Sequence, residues 1–372
     1  MSIHMKVLIA TGLYPPDIGG PATYAKTLHE ILPKKGIEAE VLSFGEVRHL
    51  PKIVRHFAYF FKTLRRGAHV DVIFAQDPVS VGLPAMLAAK LLRKPFVLKV
   101  VGDYAWEQGV QRFGVVDPLD EFSGVRDHYP RPVQLLKDIE RMVAEGARAI
   151  IVPSRYLKKI VTNWRIEEEK ISVVYNAFEG VHSNLQSPHG QRRTIMSAGR
   201  LVPWKGFAEL IELMPRIRAD YPNAHLTIAG DGPDRARLEA LIEKHNLSGS
   251  VELLGSLPQK ELHKRIIASS VFVLNTSYEG LSHQLLEVMA LGVSIVTTNV
   301  GGNPELIIDH VSGLLIEQGD SDALVAALHE LFDGTIDGAL LAKKAHEKVS
   351  EFSTERMVDE TVEILHASTK KI

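Results

Sequence analysis

Twelve short apolar runs, separated by stretches with helical spacing, restrict this chain to very few architectures. In the first half they occupy residues 6–11, 38–43, 70–75, 95–101, 147–152 and 171–178. After a polar interval the pattern restarts at 194–198, 224–229, 251–254, 271–274, 293–297 and 312–316. Runs this short and this apolar suit strands covered on both faces, as in parallel sheets flanked by helices. The segments between them repeat apolar residues at spacings of three and four, as in Leu238, Leu241 and Ile242, or Leu324, Val325, Leu328 and Leu331. Residues 179–193 are polar and aperiodic, which marks a boundary between two α/β domains. The 372 residues divide comfortably into two such domains, expected at 1–180 and 190–355.

Composition removes several alternatives. A net charge of −2 gives no global attraction to nucleic acid. The absence of cysteine rules out disulfides, a thiolate nucleophile and cysteine zinc sites. The first residues, Met1 to Lys6, lack the apolar core and cleavage site of a signal peptide, and no window of about 18 apolar residues occurs. A cytoplasmic protein is the expectation.

In open parallel sheets ligands gather at the carboxyl ends of the strands, so the turns after them hold the candidate site. The turn after the first run contains Gly19 and Gly20, followed by Pro21 as a first helical residue. It matches neither the dinucleotide fingerprint nor the phosphate loop that ends in Lys and Ser or Thr, yet it can bring backbone close to a phosphate. The turn after residues 95–101 reads Gly102-Asp103-Tyr104, and the polar region from there to Pro132 is expected to be an acceptor-binding lid.

Between residues 50 and 66, Leu50, Ile53, Val54, Phe57, Phe60, Phe61 and Leu64 share one helical face, and residues 47–66 contain no Asp or Glu. A basic amphipathic helix of this type can lie on an anionic membrane, giving a protein peripheral to the inner face of the cell membrane. The simpler reading, preferred here, is a helix whose apolar stripe packs on the sheet and whose outer face is basic.

In the second half, Gly199-Arg200 and Lys205-Gly206 bring two cations to a strand end, a suitable pair for a diphosphate. The turn Gly230-Asp231-Gly232-Pro233 ends the next strand, and Gly255-Ser256-Leu257-Pro258 ends the third with main chain able to line a base. The densest motif is Tyr278-Glu279-Gly280-Leu281-Ser282-His283-Gln284-Leu285-Leu286-Glu287, which follows an apolar run and opens a helix. The first amides of a helix lack partners and carry partial positive charge, so they attract anions. An acid beside an anion site fits a ligand that carries both phosphate and hydroxyls, such as a sugar nucleotide.

These pieces together resemble the retaining glycosyltransferases of family 4. The matching motifs are Gly19-Gly20, Ser197-Ala198-Gly199-Arg200 with Lys205-Gly206, Gly230 to Pro233, Glu279 and Glu287 eight residues apart, and Val300-Gly301-Gly302-Asn303-Pro304-Glu305. The resemblance implies the GT-B architecture: two facing Rossmann-like domains with parallel sheets, and a final helix, 356–372, crossing back to the first. It implies that Arg200 and Lys205 bind the donor diphosphate and that Glu287 binds the ribose hydroxyls. It further implies that Glu279 contacts the donor sugar, with Gly280, Leu281 and Ser282 holding sugar and phosphate, and Asp231 and Leu257 lining the donor. Gly19 and Gly20 would approach the phosphate from the first domain, and hinge motion is expected near residues 176–192. Asp103 falls where many members place a catalytic histidine, and Ser282-His283-Gln284 departs from the usual Phe-Gly pair. The implied reaction moves a hexose from a UDP- or GDP-sugar to a hydroxyl of a glycan, lipid-linked or small acceptor, with no metal and no further cofactor.

Two other readings use the same residues. A glycoside hydrolase also needs two carboxylates, typically 5–10 Å apart. Glu279 and Glu287 would lie roughly 12 Å apart along a helix axis if both were helical. A non-catalytic nucleotide-binding scaffold of the same fold is the alternative from another class. Asp320-Ser321-Asp322 has the form of a metal motif, but it precedes a helix and is read as its cap.

Overall fold

The computed structural model describes residues 5–17, 19–125, 128–178 and 193–370. The chain divides into two compact units, Met1–Asn176 with Thr354–Ile372, and Ala177–Ser353. The polar interval 179–192, where the boundary and hinge were expected, lies outside the described residues.

In unit 1, β1 (Met5–Thr11), α1 (Gly20–Ile31), β2 (Ile37–Ser43), α2 (Lys52–Gly67), β3 (Val72–Gln76), α3 (Leu83–Leu92) and β4 (Phe96–Lys99) alternate strictly. Three helices follow, α4 (Tyr104–Arg112), α5 (Leu119–Gly124) and α6 (Arg131–Glu145), before β5 (Ala149–Val152), α7 (Arg155–Asn163) and β6 (Ile171–Val173). All six strands are parallel, in the order β2-β1-β3-β4-β5-β6. The inner strands β1, β3, β4 and β5 are largely buried, as their unbroken apolar runs require, while the edge strand β2 leaves Glu38 and Glu40 exposed.

Unit 2 repeats the scheme with β7 (Thr194–Ala198), α8 (Phe207–Asp220), β8 (His225–Ala229), α9 (Arg235–Lys244), β9 (Val251–Gly255), α10 (Gln259–Ile267), β10 (Val271–Leu274) and α11 (His283–Leu291). It continues with β11 (Ile295–Thr298), α12 (Asn303–Leu306), β12 (Leu314–Ile316), α13 (Ser321–Asp333) and α14 (Gly338–Val349). Its strands, again parallel, are ordered β12-β11-β10-β7-β8-β9, so the order reverses between β7 and β10. The last helix, α15 (Thr354–Thr369), belongs to unit 1. Thr361 Oγ1 lies 3.1 Å from the Tyr24 hydroxyl and Asp359 pairs with Lys35 at 2.6 Å. No helix among the described residues is long and apolar enough to cross a membrane.

The structure corrects two expectations in unit 1. Three residues of the apolar stripe of α2, Val54, Phe57 and Phe61, face solvent. Among the described side chains of α2 the buried ones are Tyr59, whose hydroxyl donates to Leu42 O at 2.8 Å, and Thr63, which donates to Tyr59 O. Phe57 and Phe61 remain 63% and 62% exposed, and Phe60 and Leu64 are only half-buried. Two cations of the basic face are paired on the same surface, since Lys62 and Arg66 both reach Glu46, at 2.7 and 2.9 Å. A buried Phe contributes about 1.5–3 kcal/mol, which two exposed aromatics forgo.

The polar region after β4 is not an open loop. It forms α4 and α5, with Trp106, Val115, Leu119 and Phe122 buried. Trp106 Nε1 donates to Asp117 O at 2.9 Å, and the Lys137 ammonium sits 3.7 Å from the centre of the Phe122 ring. Helices of nine and six residues are too short to display a period, so neither could be read from spacing.

Candidate functional site

β7 and β10 are neighbours whose following loops leave toward opposite sides, because the strand order reverses between them. That reversal opens a crevice at their carboxyl ends. The loop after β7 passes Gly199 and Arg200, makes one tight turn over Pro203–Lys205, and enters α8.

The tight turn is laid directly on the loop that leaves β10. Gly206 permits this, with a φ of 67° and a backbone so close that an added Cβ would sit 1.7 Å from Asn275 O. Ser277 N donates to Trp204 O at 2.7 Å, and Thr276 Oγ1 donates to the same oxygen at 2.9 Å. This register delivers Lys205 Nζ to Glu279 Oε1 as an ion pair, with the two side chains only 17% and 11% exposed. Glu279 is pinned from its other side by Gly302, whose N–H donates to Glu279 O at 2.9 Å. Pairing of this kind in a partly dry crevice holds both groups in one geometry, because separating them would leave an uncompensated charge.

Arg200 is exposed beside this pair and has no ion-pair partner among the described residues. The Lys205 side chain runs over Gly199, where a Cβ would lie 3.7 Å from Cε. The crevice therefore carries one cation paired with a carboxylate and one exposed cation without an ion-pair partner among the described residues. Asp231 is exposed, and its carbonyl accepts from Leu201 N at 3.0 Å, which brings its turn alongside that of Arg200. Leu257 is half-buried in the turn after β9.

The helix of the central motif begins at His283, three residues later than its first glycine. Ser282 is its cap, with Oγ accepting from Leu285 N at 3.2 Å, so the serine serves the helix and not the opening. The amides of Leu281 and Ser282 have no protein partner among the described residues. Glu287, one turn into α11, accepts from Gln259 Nε2 at 3.3 Å and from Gln284 Nε2 at 3.0 Å. Burial raises its pKa above the usual carboxylate range, and those two amides oppose the shift. Gln259 was not foreseen. It is the first residue of α10, reaching Glu287 from 28 positions away, and no local signal announces that contact.

The second glycine pair is structural scaffolding for the site. Asn303 is fully buried after it, with Nδ2 donating to Thr297 Oγ1 and Thr298 O, both at 3.1 Å. Asp320 caps α13 through Ala323 N at 2.8 Å, and Asp322 pairs with Arg216.

Gly19 and Gly20 lie in unit 1, at the cap and first position of α1. Asp103 does not present itself to an opening. It is fully buried as the cap of α4, with Oδ1 accepting from Trp106 N at 2.8 Å and Oδ2 from Trp164 Nε1 at 3.2 Å. Its neighbour Glu140 accepts from Tyr104 N at 2.7 Å, and burial raises the pKa of both acids. The expected catalytic position is thus occupied by a residue that builds the fold. A group the sequence reading passed over stands at the end of β3. Asp77, with a φ of 99°, accepts from Val79 N at 2.8 Å and Ser80 N at 2.6 Å through Oδ1, and burial lifts its pKa to about 6.

Two family models match the chain: "Glycosyltransferase Family 4" over residues 18–179 and "Glycosyl transferases group 1" over residues 183–351. Among curated proteins, the amylovoran biosynthesis glycosyltransferase AmsK of Erwinia amylovora is 30% identical over 238 residues, 62% of this chain and 58% of that protein. The lipopolysaccharide core biosynthesis glycosyltransferase LpsE of Rhizobium meliloti is 32% identical over 172 residues, 46% of this chain and 49% of that protein. The match spans about half the length of these relatives. Among solved structures, HepE of Anabaena in complex with UDP and glucose superposes with a TM-score of 0.75 at 18% identity, covering 98% of this chain and 100% of that one. A likeness at that identity speaks for the fold, two six-stranded parallel sheets with surrounding helices.

Proposed function

This chain belongs to the group 1, family 4 glycosyltransferases, and on that premise we propose that it moves a hexose from a nucleotide diphosphate sugar to a hydroxyl of a glycan, lipid-linked or small acceptor, with retention at the sugar carbon. The observation that carries this reading is the Lys205–Glu279 pair beside the exposed Arg200, set where the strand order of unit 2 reverses.

The chemistry follows from the charges. When the bond between sugar and diphosphate breaks, negative charge grows on the departing phosphate oxygens. Lys205 and Arg200 stand where fixed positive charge stabilises that growth, and the unpartnered amides of Leu281 and Ser282 add donors. Glu279 orients Lys205 and offers its second oxygen to the sugar hydroxyls. Glu287, steadied by Gln259 and Gln284, accepts from the ribose hydroxyls. With two cations serving the diphosphate, the reaction asks for no metal and no further cofactor.

Either a UDP- or a GDP-sugar fits this reading; HepE of Anabaena, alike in fold, was solved with UDP. The test is a thermal-shift screen over UDP, GDP, ADP and their sugars, because a ligand of the native state stabilises it by mass action. Release of nucleoside diphosphate is then measured with the preferred donor. Tight nucleotide binding without release on any acceptor would identify a scaffold and sink the transferase reading.

A further inference from the structure

The outward face of α2 and α3 in unit 1 has an unusual composition. On α2, Val54, Phe57 and Phe61 point to solvent at spacings of three and four, exposed by 50%, 63% and 62%, and Arg65 continues the row. On α3, which packs against α2, Leu87 and Leu91 point out at 45% and 65%, with Lys90 between them. A groove of about 610 Å³ runs from Leu87 and Met142 past Lys90, Arg93 and Lys94. Arg65, Lys90, Arg93 and Lys94 have no ion-pair partner among the described residues. Residues 47–70 and 78–102 contain no Asp or Glu.

We propose that this face of unit 1 docks on an anionic lipid bilayer, with Phe57, Phe61 and Leu91 entering the headgroup boundary and Lys90, Arg93 and Lys94 meeting lipid phosphates. An interfacial helix presents aromatic and aliphatic side chains with cations at their margin, and its long basic side chains reach up to the phosphates while their stems stay among apolar groups. Charge separates this occupant from the obvious competitor, a second copy of the chain. A two-fold contact would set this patch against itself, with cations facing cations and no carboxylate in either stretch to answer them. A favourable interaction of basic residues with a helix C-terminus accounts for Lys90 at the end of α3, but not for the two leucines exposed beside it.

The sequence alone offered the basic residues of α2, or the loops beside them, for such a contact, as the less favoured reading of that helix. Lys62 and Arg66 are engaged by Glu46, so the free cations come chiefly from α3 and its end. The proposal stands independently of the transferase reading, since it invokes no substrate and no residue of the crevice.

Flotation with vesicles of phosphatidylcholine alone, or mixed with phosphatidylglycerol, tests it on the full chain. The protein should float with the anionic vesicles only, and added salt should release it. The exposed-site variants Phe57→Ser with Phe61→Ser, and Lys90→Glu with Arg93→Glu, should each reduce the bound fraction by more than about tenfold while the melting temperature holds. Failure of the wild-type chain to float, equal flotation with both vesicle types, or flotation indifferent to both variants would overturn the proposal. So would a dimer in light scattering that Phe57→Ser with Phe61→Ser dissolves, since that would assign the face to a second copy.

Discussion

The Lys205 ammonium and the Glu279 carboxylate, 74 residues apart in the chain, meet as an ion pair at the carboxyl edge of β7 and β10. Neither residue is placed by its own neighbours alone. The Lys205 turn is held to the β10 loop by Trp204 O, and Glu279 is held to the glycine turn after β11 by Gly302 N. Replacing Lys205 by Ala, or Glu279 by Gln, should lower turnover by about 10²–10³-fold, the scale for removing one charged group from a developing anion. The double variant should lose little more than either single one, because each residue acts through the other. Nucleoside diphosphate release under saturating donor is the measurement, and additive losses would contradict the pairing.

Gly206→Ala should destabilise unit 2 by about 3 kcal/mol or more, since a left-handed φ and a 1.7 Å approach to Asn275 O leave no room for Cβ. Gly249→Ala, where nothing lies within 4 Å of the added carbon, is the matched control. Denaturant midpoints of the two variants should separate clearly.

Asp103→Ala should act on stability and leave the chemistry alone. It removes the α4 cap and strands the Trp164 Nε1–H, a loss of about 2–4 kcal/mol. Turnover per folded molecule, normalised to nucleotide binding, should stay near wild type. A collapse of turnover with unchanged melting would restore Asp103 to a catalytic role.

Asp77 should make the chain less stable as pH rises. Its folded pKa, about 6, lies above its ordinary value of 3.8, so the native state holds the proton more tightly than the unfolded chain. Stability from this group is therefore full below the ordinary value and declines as pH climbs to about 6, by about 3 kcal/mol in all. Asp77→Asn keeps an oxygen to accept from Val79 N and Ser80 N yet cannot ionise. Urea unfolding at about pH 4 and pH 7 should show the wild type losing about 2 kcal/mol more than the variant across that interval.

Much of this was legible residue by residue. All twelve strands stand where apolar runs of four to eight residues predict them, and the cap at Asp320 follows from a small polar residue before helical spacing, whereas Ser282, expected to hold the donor, proves to be a cap as well. The orientation of α2 was not legible. A helical wheel divides Phe57 and Phe61 from Tyr59 and Thr63, but only the neighbouring Leu42 carbonyl and Glu46 carboxylate decide which side faces in. Asp103 misled because a strand-end acid reads the same whether it caps a helix or faces a ligand. Gln259 was invisible because its partner Glu287 lies on another helix.

The amino-acid order by itself determined that this chain alternates strands and helices in two units, and which strand ends carry acids, cations and glycines. Those are local properties, set by side-chain burial along each strand and by backbone freedom at each turn. Only the tertiary structure decided that Lys205 meets Glu279, that Asp103 is buried and that Phe57 is not. Those outcomes depend on which distant surfaces share a boundary, and sheet order and backbone approach settle that only once the whole unit has closed.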